Sequence, residues 1–356
     1  MKPGLTLALI VRDDESGLRR CLESVLGVAD DVVVVDTGSQ DSTPEVAEEL
    51  GARLFRIEWP NAFDQARNAS FERVETQWTL WLDSDEWLLP EACAQIREAM
   101  LDEGVFAYSL MRQDHHDSGG FSEIRLLRLW RTHPAMRVRG IVHENFPDEA
   151  VARAAKGRRI LPSEIRFGHD GYLKGMSAAK LRRNLELIRR ELAERPGQVY
   201  YEVKLAETLS TLSDPEAGRV LGELADRLLV SRSKPEHPIA MSALALALGA
   251  IPEADRSSER ANRLAEAVAK WYPRSPGPTW ELAAFEFKRG NVEGAYRALL
   301  RLERMAVSGE YDRYGSFNPQ IFGKPLWENL KMVAEQVGDE AAAWRCENRP
   351  KSFEDS

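Results

Sequence analysis

The segment Asp83-Ser84-Asp85-Glu86 places three carboxylates directly after the apolar run Trp78 to Leu82. Carboxylates at the end of a strand are either solvated or bind a cation. Hard divalent cations such as Mg²⁺ and Mn²⁺ take oxygen ligands and often combine a few protein carboxylates with substrate phosphates. Carboxylates at i and i+2 can divide the work, one on a sugar hydroxyl and one on a metal that neutralises a departing diphosphate. The plain alternative is a solvated acidic turn. A second acidic strand end lies at Asp36-Thr37-Gly38-Ser39-Gln40-Asp41. Gly38 allows a tight backbone turn. Asp36 can accept from a base or ribose, because the turn and a Ser42 helix cap account for Asp41 and Ser42 without it.

The elements that must position these residues follow from hydrophobic period. Leu5 to Val11 reads as a strand, and Leu18, Cys21, Leu22 and Val25 lie at helical spacing. Asp31 to Asp36, with four consecutive valines, suits a strand buried on both faces of a parallel sheet. Ser42 opens a helix, with Glu45 to complete a capping box and Pro44 in the first turn. Arg53 to Ile57 is a third strand, Phe63 to Val74 a helix and Trp78 to Leu82 a fourth strand. This alternation predicts an α/β fold with an open, mostly parallel sheet and right-handed crossovers. Ligands bind beyond the carboxyl ends of such strands. Arg12 and Asp13, Asp36, and Asp83 to Glu86 all stand there. Val105 to Leu110, Ile124 to Trp130 and Glu164 to Phe167 are further strands.

From Ser177 to about Ala343 the pattern becomes helical, with breaks at Pro196-Gly197, Ser213 to Pro215, Pro235 to Pro238 and Pro273 to Pro278. Trp280 to Leu302 reads as a helix–turn–helix of tetratricopeptide type, and Tyr200 to Leu229 as a degenerate version. The expected domains are therefore residues 1–175, an α/β unit, and residues 176–356, an all-α, repeat-like unit. At 356 residues the chain suits two domains. A net charge of −9 is a poor match for non-specific nucleic-acid binding. Cys21, Cys93 and Cys346 are far apart and form no CxxC pair, which fits reduced thiols in the cytoplasm. The apolar run near the N-terminus is short and leads straight to Arg12-Asp13-Asp14-Glu15, so it reads as a strand and not a signal peptide. No apolar stretch approaches the ~20 residues needed to span a bilayer. A soluble protein is expected, peripheral at a membrane at most.

The ordered set of segments resembles family 2 glycosyltransferases, which have the GT-A nucleotide-sugar-binding fold. The set begins with Ile10 to Glu15, Val33 to Thr43, Trp59 to Phe63, Ala66-Arg67-Asn68 and Leu80 to Glu86. It continues with Arg125 to Trp130, Gly140-Ile141-Val142-His143-Glu144, Gly168 to Tyr172 and Lys180-Leu181-Arg182-Arg183-Asn184. Coverage is roughly residues 5 to 210. The chain is similar to bacterial enzymes that glycosylate peptides, such as glycocin S-glycosyltransferases, and to lipopolysaccharide-core glucosyltransferases. It departs from the family where Asp13 replaces a frequent Asn and Ser84 a frequent Ala.

The resemblance implies a UDP-sugar donor and a Mn²⁺ or Mg²⁺ cofactor. It places Val11 and Asp13 at the nucleotide base, Asp36 on the uracil or ribose, and Arg67 at the diphosphate. Asp83 and Ser84 fall on the donor, Asp83 facing the ribose or a metal-bound water. Asp85 holds the metal, and His169 is a third ligand or a phosphate contact. Inverting transfer needs a base to take the acceptor proton. Glu144, His143 and Asp170 are the candidates, Glu144 foremost, with an ordering role for the Glu144 loop as the alternative. His115-His116-Asp117 reads as a loop that could touch the acceptor, with a plainly solvated loop as the favoured alternative. The acceptor could be a peptide, a glycan or a small molecule. The helical unit offers a concave surface for a partner chain or a homodimer.

Two other functions fit parts of the pattern. A phosphatase of the haloacid dehalogenase type also sets D-x-D after an apolar strand, with the first Asp as nucleophile. There, however, the motif lies on the first strand and continues with Thr or Val, not Trp87. A non-catalytic scaffold of helical repeats is the other, and the intact acidic cluster argues against it.

Overall fold

The apolar segments assemble into a sheet with helices against it. The computed structural model describes residues 1–115, 121–170, 178–230, 234–235, 239–312 and 319–348. These divide into two compact units, Met1–Gly119 with Arg125–Glu191, and Gly120–Ile124 with Leu192–Ser356.

In the first unit, β1 (Lys2–Val11), β2 (Asp31–Asp36), β3 (Arg53–Arg56) and β4 (Thr76–Trp81) pair in the order β3-β2-β1-β4, all parallel. Helices α1 (Glu15–Val25), α2 (Thr43–Glu49) and α3 (Phe63–Phe71) connect them. β1 shows why both faces are covered. Leu5, Leu7 and Leu9 share a core with Leu18, Leu22 and Val25 of α1, while Ala8 and Ile10 join other clusters. Fully burying such an aliphatic side chain contributes about 1.5–3 kcal/mol.

The sheet continues past β4 through β7 (Phe121–Arg131), β6 (Val105–His115), β8 (Arg159–His169) and β5 (Glu86–Leu88). β4 and β7 run antiparallel, β6 and β8 parallel, and β5 and β8 antiparallel. The unit also contains α4 (Ala92–Ala99), α5 (Asp148–Ala155) and most of α6 (Ala178–Glu194).

Several elements differ from expectation. Ser42 stands at the α2 N-cap but makes no side-chain cap bond; Asp41 accepts from the Thr43 N–H instead, at 3.0 Å. A carboxylate one residue earlier has taken the capping role. α3 ends at Phe71, and β3 at Arg56. β6, β7 and β8 are longer than their apolar cores, because ladder pairing carries their polar ends along. β5 is too short to show a period. His115 lies in β6, stacked on Trp87 with ring centroids 5.5 Å apart, and not in a loop. His116, Asp117, Gly171 and Tyr172 lie outside the described residues.

The second unit is helical. It contains α7 (Val199–Thr211), α8 (Glu216–Val230), α9 (Ala240–Gly249), α10 (Glu259–Trp271), α11 (Pro276–Lys288), α12 (Val292–Ser308), α13 (Lys324–Val337) and α14 (Glu340–Glu347). α11 packs on α12 across a short turn, as the Trp280–Leu302 pattern predicts. Asn291 caps α12 by accepting from the Gly294 N–H at 3.1 Å. Pro276 and Pro278, expected to break the chain, lie in the first turn of α11, where a missing N–H costs nothing. Among the described residues no helix is long and apolar enough to cross a membrane.

Candidate active site

Beyond the carboxyl ends of β1, β2 and β4 lies a cavity of about 480 Å³. Ile10, Val11, Arg12 and Thr37 form one wall, and Trp59, Phe63 and Arg67 another. Asp83, Ser84, Asp85, Arg112 and His169 lie on the acidic side, with His143, Lys180 and Arg183 completing the lining.

The loops after β1 and β2 hold each other. Asp13 takes a left-handed backbone, φ +50, which costs an L residue about 1–2 kcal/mol. The Asp13 N–H donates to Ser39 Oγ (2.9 Å), and the Gln40 N–H donates to Asp13 Oδ1 (2.6 Å). Asp36 is only 2% exposed. The Gly38 N–H (3.3 Å), Ser39 N–H (3.1 Å) and Ser39 hydroxyl (2.5 Å) donate to its carboxylate. The turn therefore does need Asp36, contrary to expectation. Gly38, at φ +105, makes the bend. Of this strand end, Thr37 lines the cavity; Val11, the last residue of β1, and Arg12 just after it do so as well.

Arg67 organises the floor. It is 4% exposed on α3. Its Nη1 donates to Asp83 Oδ1 (2.5 Å) and its Nε to Glu144 Oε1 (2.9 Å). Asp83 also accepts from Trp81 Nε1 at 3.2 Å and lies 3.7 Å from Arg128 Nη2. Burial by itself would raise the Asp83 carboxyl, but Arg67 and Arg128 outweigh it and hold it well below the usual range. The guanidinium expected at a diphosphate is thus committed to two carboxylates. Asp83, expected to face a ribose or a metal, is committed in return. A carboxylate so held is also not poised as a phosphatase nucleophile.

Glu86 is buried, a third fate besides solvation and cation binding. The Asp83 N–H donates to its Oε2 at 2.9 Å, fixing the turn, and Arg128 donates to Oε1 at 2.8 Å. Burial pushes its carboxyl up, and Arg128 offsets only part of that. Ser84 donates to Asp14 Oδ2 at 2.6 Å, and Asp14 caps α1.

Asp85 differs from its neighbours. Its side chain is 44% exposed, and its Oδ2 faces His169 Nε2 at 3.5 Å. Strand pairing explains the meeting: β5 and β8 set Glu86 opposite His169, and β6 and β8 set Asp114 opposite His169. A Cβ at Gly168 would collide with the Trp87 indole, so only glycine lets β8 close here. Asp114 Oδ1 holds His169 Nδ1 at 2.6 Å, and Arg112 pairs with Asp114 at 2.8 Å. Burial alone would lower the His169 imidazolium; the bonds to Asp114 and Asp85 outweigh it and raise it to about 9.

The Asp85 carboxylate is an oxygen donor of the kind Mn²⁺ and Mg²⁺ take, the His169 imidazole is a nitrogen donor that favours Mn²⁺ over Mg²⁺, and Asp114 supports the imidazole as carboxylates support metal-bound histidines. Among the described residues no group of three or more His, Cys, Asp or Glu side chains forms a metal cage. The pair suits a shared site in which substrate oxygens complete the shell.

The three base candidates are placed differently. The Glu144 side chain is 8% exposed and bound to Arg67. Asp170 is bound to Arg20, whose guanidinium lies 3.8 Å over the Trp87 ring. His143, at φ +53, lines the cavity. Its loop is pinned by Phe63 N–H to Ile141 O (2.8 Å), Gly140 N–H to Asp64 (3.1 Å) and Ile141 N–H to buried Glu191 (2.9 Å).

Lys180 and Arg183 enter the lining from α6, although sequence reasoning treated them only as a motif before the helices. Their i, i+3 spacing, which puts both on one helix face, was the available signal. Burial, then the nearby Arg12, lowers the Arg183 guanidinium. Arg183 also lies 5.5 Å from the Phe63 ring, which meets Trp59 edge-on at 4.9 Å.

A family model described as glycosyl transferase family 2 matches residues 6–156. A TPR repeat-containing protein of Synechococcus elongatus is 32% identical over 223 residues, 60% of this chain and 54% of that protein. Glycosyltransferase SunS of Bacillus phage SPbeta is 22% identical over 205 residues, 54% of this chain and 46% of the phage protein. The chain thus spans about half the length of these relatives. The crystal structure of S. aureus TarS 1-349 in complex with UDP-GlcNAc is 14% identical, with a TM-score of 0.39, over 88% of this chain and 93% of that one. Residues 6–156 thus match the glycosyl transferase family 2 model, and a helical unit follows them.

Proposed function

We propose that this chain transfers a sugar from a UDP-sugar to an acceptor hydroxyl or thiol, with inversion, using Mn²⁺ or Mg²⁺. The observation that carries this reading is the Asp85–His169 pair in the same cavity as the cations Arg12, Lys180 and Arg183. An open carboxylate–imidazole pair and a cationic wall together match a metal-bound diphosphate. The aromatic pair Trp59 and Phe63, with Ile10 and Val11, offers apolar surface for a nucleobase.

Asp85 and His169 would hold the cation, which when bound supplies positive charge for the departing diphosphate oxygens. Arg12, Lys180 and Arg183 bind the same diphosphate. Asp83 and Ser84 shape the donor side, and Arg67 fixes Asp83. The acceptor nucleophile attacks the anomeric carbon as the bond from that carbon to the diphosphate oxygen breaks. Its proton passes to a base. Of the three candidates His143 lines the cavity, so His143 is assigned the proton and Glu144 a positioning role through Arg67.

The test is turnover of α-linked UDP-sugars in Mn²⁺ buffer with peptide, glycan and small-molecule acceptors. The product's anomeric configuration is read by NMR. A β-linked product, lost in His143→Ala with UDP affinity kept, is expected. An α-linked product would remove the inverting assignment, and full activity in His143→Ala would remove the base.

A further inference from the structure

The second unit carries a cationic groove that the proposed transfer reaction does not use. On α12, Arg297, Arg301 and Arg304 follow at spacings of four and three, which places them on one helix face. Two adjoining cavities lie along this face. One, of about 240 Å³, is lined by Arg289, Arg297 and Arg301 with Glu266 and Glu286. The other, of about 250 Å³, is lined by Arg274, Arg301 and Arg304 with Glu310. Arg301 belongs to both.

These arginines are not equally committed. Arg289 is paired with Glu286 at 2.7 Å, Arg274 lies 4.0 Å from Glu310, and Arg301 donates to Ala269 O at 3.1 Å. Arg297 and Arg304 are exposed, and among the described residues neither makes a hydrogen bond or ion pair. Exposed guanidinium groups with no partner of their own are free to meet a carboxylate or phosphate, which they match in bidentate geometry. In a chain of net charge −9, five arginines along two cavities are a local reversal of sign.

We propose that this groove binds an extended acidic peptide segment. The spacing fits one. At 1.5 Å per residue, Arg297 to Arg304 spans roughly 10 Å. An extended peptide covers that in about three residues, with alternate side chains on one side. Acidic residues at i and i+2, about 7 Å apart on one side of the peptide, match Arg297 and Arg301, about 6 Å apart along α12. Glu266, Glu286 and Glu310 within the groove repel a uniformly charged phosphate backbone but tolerate a peptide of mixed composition. The recessed shape likewise suits a chain better than a flat anionic membrane.

The test uses the full chain and a fluorescein-labelled peptide of alternating glutamate and alanine, read by fluorescence anisotropy. Binding that weakens with added salt is expected. Arg297→Glu with Arg304→Glu should weaken it about tenfold, since two exposed pairings are reversed. Arg219→Glu with Lys331→Glu, an equal change in net charge elsewhere, should leave it unchanged. Arg297→Gln with Arg304→Gln serves if the reversal unfolds the unit by circular dichroism. The proposal is overturned if the peptide does not bind, or if both charge-changed proteins lose affinity alike. It is also overturned if single-stranded DNA or phosphatidylserine vesicles bind through Arg297 while the peptide does not.

Discussion

Asp85 and His169 face each other at 3.5 Å because the antiparallel pairing of β5 with β8 sets Glu86 opposite His169. A three-residue strand thus converts two motifs more than eighty positions apart in the chain into one pair of donors. Asp114, brought in by β6, fixes the imidazole from its other nitrogen.

That second contact gives the first prediction. Asp114→Asn keeps the shape but removes the charge behind His169. Manganese affinity in the presence of UDP, measured by electron paramagnetic resonance, should fall about tenfold or more, the usual loss for a removed supporting carboxylate. Unchanged affinity would mean that His169 is not a ligand.

Lys180 and Arg183 should discriminate by phosphate. Alanine at both positions should weaken UDP about tenfold, two exposed to half-buried contacts at about 0.7 kcal/mol each, while uridine binding stays the same. Equal loss for UDP and uridine would place these residues away from the diphosphate.

Arg67→Met tests the floor of the cavity. It leaves Asp83 and Glu144 without their shared guanidinium. Removing one partner of a buried ion pair costs about 3–5 kcal/mol, read by urea unfolding. Arg67→Lys should recover only part, since one ammonium cannot reproduce the fork that reaches both carboxylates. A loss below the range for surface changes would show that the network carries little stability.

Asp83 adds a pH dependence of known sign. Its folded carboxyl is held below the unfolded value, so it binds fewer protons when folded. The stability this provides is present above the unfolded carboxyl value of about 3.9 and is lost as pH falls through the folded one. The stability difference between the native chain and Asp83→Asn should therefore be full at neutral pH and shrink on acidification. A difference independent of pH would assign the effect to shape alone.

Much of this was legible in sequence. The strand Asp31–Asp36 appears with the predicted bounds, and the buried stripe Leu18, Cys21, Leu22 and Val25 defines α1. Apolar period and cap chemistry are local, so they can be read locally. The partners of the acidic cluster could not. Arg67 and Arg128 meet Asp83 from α3 and β7, and Glu144 arrives from a loop pinned by Glu191 of α6. No spacing rule predicts which carboxylate an arginine will occupy. The acidic segment therefore looked like three similar groups, whereas their partners separate them. Asp83 is held by arginines, Glu86 supports the turn, and Asp85, half-exposed, faces His169.

The central claim is that Asp85 helps to hold a divalent cation against a nucleoside diphosphate. Calorimetric titration of the chain with UDP, with and without Mn²⁺, tests it most directly. The account predicts UDP binding that depends on Mn²⁺ and disappears in Asp85→Ala, while the variant stays folded. Equal UDP affinity with and without the metal, or undiminished metal-dependent binding in Asp85→Ala, would contradict it.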